Sequence, residues 1–242
     1  MEYAQVVTGK FLQRPNRFVA LCEIEGRTHR CHVKNTGRCR ELLLPGATVF
    51  LQDRRGAEKP GKTEFSLIGV KKGDMLVNID SQAPNAVVKE ALLSGALVLP
   101  GFACPDIVRP EYGYGASRID FYLQKGDRRA LVEVKGVTLE VGGQARFPDA
   151  PTQRGVKHLD ELAGAVAAGY SCFAVFVIAL RPVSSMAPNW LTHPAFGRAL
   201  QRAQKAGVQL LAYDCAVGQN TLSLGRPVPI DLHTPASAED GF

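Results

Sequence analysis

With 45% apolar side chains spread over 242 residues, the chain is long enough to build one large or two small cores, and only its last few residues lack globular character. The longest apolar run, Cys172 to Leu180, is far too short to cross a bilayer, and Met1-Glu2-Tyr3 opens no secretory leader, so a soluble cytoplasmic protein without a membrane partner is expected. The net charge of +6 is uneven: residues 1–81 hold 14 basic and 9 acidic side chains, which points to a polyanion-facing N-terminal module joined to a nearly neutral one.

Residues 1–81 read as successive short strands: Tyr3 to Leu12, Phe18 to Ile24, Thr28 to Val33, Ala47 to Leu51, Phe65 to Val70 and Met75 to Ile79. Gly26, Pro45-Gly46, Pro60-Gly61 and Gly73 punctuate them. Strands without a long helix in this length predict a small closed β-barrel of the oligonucleotide-binding (OB) type. Arg27, Arg30, Lys34, Arg38 and Arg40 crowd one strand and the loop after it, around Asn35-Thr36-Gly37. They form a candidate phosphate track. Phe11, Phe18, Phe50 and Phe65 have the chemistry to stack bases, but alternation assigns at least three of the four to the barrel core. The six cysteines include no Cys-x-x-Cys pair, and the spacing of His29, Cys31, His32 and Cys39 fits none of the usual structural zinc patterns.

The second module, 82–242, opens near Ala83-Pro84. Asn85 is expected to cap a helix through Leu93 with Gly95 as its stop. Ser117 to Gln124 and Ala130 to Gly136 flank the turn Lys125-Gly126-Asp127 and are expected to pair as a hairpin. A helix opens at Pro151-Thr152 and ends at Gly169. Ser171 to Leu180 is a buried strand, Ala195 to Ala206 a helix and Gln209 to Tyr213 a further strand. This is an α/β arrangement with a mixed central sheet.

The chemistry concentrates on the hairpin. Alternation places Glu133 and Lys135 on one strand face and Val132 and Val134 on the other. On the preceding strand Arg118, Asp120 and Tyr122 share one face and Ile119, Phe121 and Leu123 the other. A Glu and a Lys two apart are most often a solvated ion pair worth under about 1 kcal/mol. A central apolar strand changes that reading, because buried charges persist only when paired or metal-bound. Asp120 and Glu133 offer the hard oxygens that Mg²⁺ or Mn²⁺ prefers, and Lys135 would hold or deprotonate an attacking water. Arg154, Lys157, His158 and Glu161 fall on one side of the helix after this strand. An ordinary solvated face is one reading; the other has Arg154 and Lys157 holding phosphates, with His158 near the leaving group. Glu90 is either a further acid of the metal site or a surface residue.

The runs His32-Val-Lys-Asn-Thr-Gly-Arg-Cys-Arg-Glu-Leu-Leu, Ser117-Arg-Ile-Asp-Phe, Val132-Glu-Val-Lys-Gly-Val-Thr-Leu and Phe147-Pro-Asp-Ala-Pro-Thr-x-Arg-Gly-x-Lys-His-Leu together resemble the sugar fermentation stimulation protein A (SfsA) family over nearly the whole chain. The resemblance implies an N-terminal OB-like domain and a C-terminal domain similar to PD-(D/E)xK nucleases. In that pattern Asp120 matches the first acid, Glu133 the second and Lys135 the lysine, with Ile119 standing where the superfamily has proline. A metal-dependent nuclease acting on DNA or RNA is therefore expected, with Asp120, Glu133 and Lys135 catalytic, the first two holding Mg²⁺ or Mn²⁺, and Arg30, Lys34, Asn35, Arg38, Arg154, Lys157 and His158 on the nucleic acid. The alternative is a DNA-binding regulator of sugar (maltose) metabolism genes without turnover. Oligomeric state, a homodimer included, stays open.

Overall fold

A computed structural model describes residues 1–35, 37–56 and 63–235. The Pro60-Gly61 turn, Thr36 of the basic loop and the last few residues lie outside them. Alternating apolar residues build the first sheet from β1 (Val6–Asn16), β2 (Val19–Ile24), β3 (Arg27–Val33), β4 (Thr48–Asp53), β5 (Phe65–Lys72) and β6 (Met75–Asn78). They pair in the order β3-β2-β1-β4-β5-β6, and a parallel contact of β3 with β5 closes the first five into a barrel around Phe11, Ala20, Cys31, Val49 and Leu67. Phe11, Phe50 and Phe65 are buried, whereas Phe18 is 49% exposed.

The second part contains α1 (Ala83–Ser94), β7 (Ile107–Tyr114), β8 (Ser117–Lys125), β9 (Arg128–Val137), β10 (Leu139–Val141), β11 (Gln144–Phe147), α2 (Gln153–Ala167), β12 (Ser171–Ile178), β13 (Ser185–Pro188), α3 (Pro194–Lys205), β14 (Gln209–Val217) and β15 (Leu222–Pro227). Its main sheet runs β15-β14-β12-β9-β8-β7. β12 lies parallel to both β9 and β14, and the other pairings are antiparallel, so the sheet is mixed. β10, β11 and β13 form a small separate sheet. Leu131 and Val137 on one face of β9 join Leu159, Leu162 and Phe196 of α2 and α3 in a core that continues into the barrel interior. Val132 and Val134 on the other face pack with Val87, Val88 and Leu92 of α1. Thr152 caps α2 by accepting from the Gly155 amide at 3.0 Å. Among the described residues no helix is long and apolar enough to cross a membrane.

Several expected elements differ. β1 starts at Val6 rather than Tyr3, because Glu2 bridges to Thr221 and the Tyr3 amide donates to Asn220 O at 2.7 Å. Asn85 is no cap: α1 begins at Ala83 after Gln82, and the Asn85 amide is used elsewhere. β8 does not keep one face throughout. Ile119 joins the core beneath α2 whereas Phe121 and Leu123 pack on the α1 side, because the β8–β9 ladder ends at Phe121–Val132 and the strand turns away from β9.

Candidate functional site

The loss of the ladder beyond Val132 leaves the Val134 amide without a strand partner on the β8 side. Asp120 fills the gap. Its Oδ2 accepts from Val134 N at 2.7 Å, and its Oδ1 accepts from the Asn85 side-chain amide at 2.7 Å. A side-chain carboxylate thus takes the place of a β8 carbonyl, which fixes its direction against β9. Burial lifts Asp120 above the ordinary carboxylate range and the charge of Glu133 adds to it. The Val134 and Asn85 bonds and the Lys135 ammonium work against this rise.

Glu133 is 2% exposed on a strand held on both sides, with Ala174 of β12 as its neighbour in register. Its Oε1 accepts from Lys135 Nζ and contacts His158 Nδ1. Burial is the largest single influence and pushes Glu133 up, but the His158 hydrogen bond together with the Lys135 charge and hydrogen bond outweighs it and holds the carboxyl below its usual value. The other ring nitrogen, His158 Nε2, receives Arg154 Nε at 3.3 Å. An arginine Nε only donates, so Nε2 is the accepting nitrogen and Nδ1 the one that donates to Glu133. Glu133 Oε2 is buried with no hydrogen-bond partner among the described residues.

Asp120, Glu133, Lys135, His158 and Arg154 are thus brought together where β8, β9 and the first turns of α2 meet. His158 sits inside this network, 5% exposed, rather than on an open helix face. Lys157 stays outside, with its Nζ 3.6 Å from Glu161, and Arg154 is exposed. Glu90 lies apart from the acids, 2.6 Å from the Met1 α-amino group.

The barrel residues divide. Lys34 is not free for a phosphate: its ammonium is 2.7 Å from the buried Asp80 carboxylate, which must be neutralised where it lies. Asn35 is occupied in shaping the loop, its Oδ1 accepting from the Gly37 amide at 2.7 Å. Arg30 and Arg38 point to solvent.

Four participants escaped the sequence reading. Asn85 was indistinguishable from a cap. Asp80 and Asp149 reach partners 46 and 111 residues away, and no local pattern announces such a contact. Arg14 looks like any polar strand residue, yet its guanidinium donates to the carbonyls of Arg17, Asn35, Gly37 and Arg38.

Comparison with known proteins agrees with this architecture. Residues 12–79 match the family model described as the SfsA N-terminal OB domain, and residues 82–221 that of the sugar fermentation stimulation protein RE domain. A sugar fermentation stimulation protein homolog of Desulfitobacterium hafniense is 50% identical, covering 96% of this chain and 99% of its own. One from Clostridium beijerinckii is 47% identical, covering 96% and 100%. The solved structure of Pyrococcus furiosus SfsA in complex with Ca²⁺ superposes with a TM-score of 0.86 at 27% identity, covering 96% of this chain and 98% of that one. With both of its halves matched by family models and full-length relatives at about half identity, the chain belongs to the sugar fermentation stimulation protein (SfsA) family.

Proposed function

We propose that this protein is a metal-dependent nuclease, hydrolysing phosphodiester bonds of a nucleic acid at Asp120, Glu133 and Lys135. The observation that carries the reading is a buried oxygen, Glu133 Oε2, that no group among the described residues satisfies, on the strand next to Asp120 and close enough for its charge to raise the Asp120 carboxyl. A buried anionic oxygen without a partner is costly, and a divalent cation removes the cost. The donor set fits Mg²⁺ or Mn²⁺, being hard carboxylate oxygen with no thiolate. The Ca²⁺ named for the Pyrococcus furiosus relative supports a divalent ion here. When bound, such an ion supplies Lewis acidity toward a phosphate oxygen and lowers the pKa of a water.

The residues divide the remaining work. Asn85 and the Val134 amide hold Asp120 in one direction, while His158 and Lys135 hold Glu133 through its other oxygen, leaving Oε2 to face a ligand. Lys135, 14% exposed in its side chain, can orient a water and stabilise charge on the phosphate. Arg154 stands ready for a neighbouring phosphate.

With Mg²⁺ or Mn²⁺, a panel of single- and double-stranded DNA and RNA is expected to include a cleaved substrate. Lys135→Ala should slow cleavage roughly 10²–10⁴-fold, and Asp120→Asn should abolish it with oligonucleotide binding retained. No product with either ion across the panel ends this reading. Calorimetric titration with Mn²⁺ is expected to give one site in the wild type and at least tenfold weaker binding in Glu133→Gln; equal affinity in the two proteins removes Glu133 from the metal.

A binding protein without turnover is the second reading, favoured by one feature: Lys135 and His158 both close on Glu133, so the site is already paired within itself. It predicts salt-sensitive DNA binding that Glu133→Gln leaves unchanged and no product.

A further inference from the structure

The loop between β3 and β4 is held in an unusual way. Arg14 of β1 reaches under it and donates to Asn35 O at 2.6 Å, Gly37 O at 2.8 Å and Arg38 O at 3.1 Å, and also to Arg17 O of the β1–β2 turn at 2.8 Å. One guanidinium therefore joins the loop and the turn. From the other side Asp149, three residues before the cap of α2, accepts the Arg38 amide at 2.9 Å. A Cβ on Gly37 would lie 2.4 Å from that same carboxylate and 2.8 Å from Asn35 Oδ1, so a larger residue there would have to displace the Asp149 side chain that holds the loop.

The fixed loop forms one wall of a groove of about 350 Å³ lined by Phe11, Arg14, Arg38, Cys39, Arg40 and Leu43 among others, three arginines and no acid. The side chains of Arg38 and Arg40 are exposed, and no carboxylate pairs with either among the described residues. On the β1–β2 turn that Arg14 ties to this loop, outside the groove's lining residues, Phe18 is 49% exposed with the Arg17 guanidinium 5.0 Å from its ring centre. The β2–β3 pair differs: Arg30 shares a face with Glu23, Arg27 follows the turn that holds Glu25, and Glu64 lies 3.7 Å from His29 at the strand's edge.

We propose that this groove, and not the β2–β3 strand face, binds a single strand of nucleic acid, with Arg38 and Arg40 on successive phosphates and Phe18 stacked on a base. Exposed arginines that pair with no carboxylate among the described residues, near an exposed aromatic ring, are the combination that single strands require; Asp149 and Glu41 lie near Cys39 but are not among the lining residues. Arg14 and Asp149 are positioning residues: they hold the arginines beside the segment leading into α2, so a strand leaving the groove runs toward Arg154 and the paired acids. The inference rests on the nucleic-acid reading above, of which it names the binding surface.

The test is fluorescence anisotropy of a labelled 20-nucleotide single strand across a salt series, with heparin as a polyanion lacking bases. Arg38→Ala/Arg40→Ala should lower the salt slope by about 0.7 per lost phosphate contact. Arg27→Ala/Arg30→Ala should leave it unchanged. Phe18→Ala should weaken the oligonucleotide roughly tenfold and leave heparin unaffected. All these side chains are exposed, and unchanged thermal melting confirms intact folding.

A groove variant that binds as the wild type does, or a Phe18→Ala protein that loses heparin and oligonucleotide alike, overturns the proposal. Cleavage measured on the same proteins separates the two readings. A wild type that cleaves while Arg38→Ala/Arg40→Ala binds normally overturns the groove alone. A wild type that never cleaves, yet loses binding in that variant, overturns hydrolysis and supports the groove.

Discussion

Gly136 follows Lys135, and a Cβ there would lie 2.7 Å from the Pro84 ring at the start of α1. Neither a proline ring nor a central strand yields easily, so Gly136→Ala should cost about 1–3 kcal/mol, read as a lower urea midpoint; an unchanged midpoint would show that α1 is free to shift. At this scale the sequence was informative where alternation decides the matter. Glu133 and Lys135 do share a face opposite Val132 and Val134, with both sides of the strand covered. It was silent where a partner is remote: Lys34 belonged on paper to a phosphate track, and only the folded chain brings Asp80 to it. For His158 a solvated face and a place near the leaving group both stood open, because a helix-face pattern cannot distinguish a polar residue in solvent from one closing on a buried acid.

Among elements, the contact between β5 and β10 offers a titratable link. Lys72 at the end of β5 reaches Glu140 of β10, Nζ to Oε2 at 2.6 Å, and the Gly143 amide donates to the same carboxylate. The Lys72 hydrogen bond, followed by the Gly143 bond, holds Glu140 below its usual range. A carboxyl depressed in the folded state adds stability above its unfolded pKa and loses it as pH falls through the folded value. The acid limb of the stability curve below about pH 4 should therefore be flatter in Glu140→Gln. Lys72 is partly exposed, so the difference at neutral pH should be about 1 kcal/mol or less; parallel limbs would show the pair to be inert. The expected barrel strands, α2 and the Glu-bearing hairpin were legible because their apolar periods are long. β7 was not, since Pro110 and mostly exposed residues blur its alternation, and β10, β11 and β13 are too short to carry a period.

For the whole molecule, one core runs from Phe11 and Val33 in the barrel to Leu131 and Leu159 beneath α2, and residues 1–3 bridge the two parts, the backbone of Glu2 and Tyr3 bonding Thr221 and Asn220 while the Tyr3 ring packs on Phe50 and Ile68 of the barrel. Calorimetry should accordingly give a single cooperative transition, and two resolved peaks would mean that the halves unfold independently. Asp120 does a mason's work as well as a chemist's: it closes a backbone gap that an asparagine oxygen would close equally well, with Asn85 turning its amide over to match. Selection for folding alone would keep an acceptor at this position. An asparagine there in some relative would thus mark a preserved scaffold with its reactivity removed, and a side chain with no acceptor would mark the decay of both.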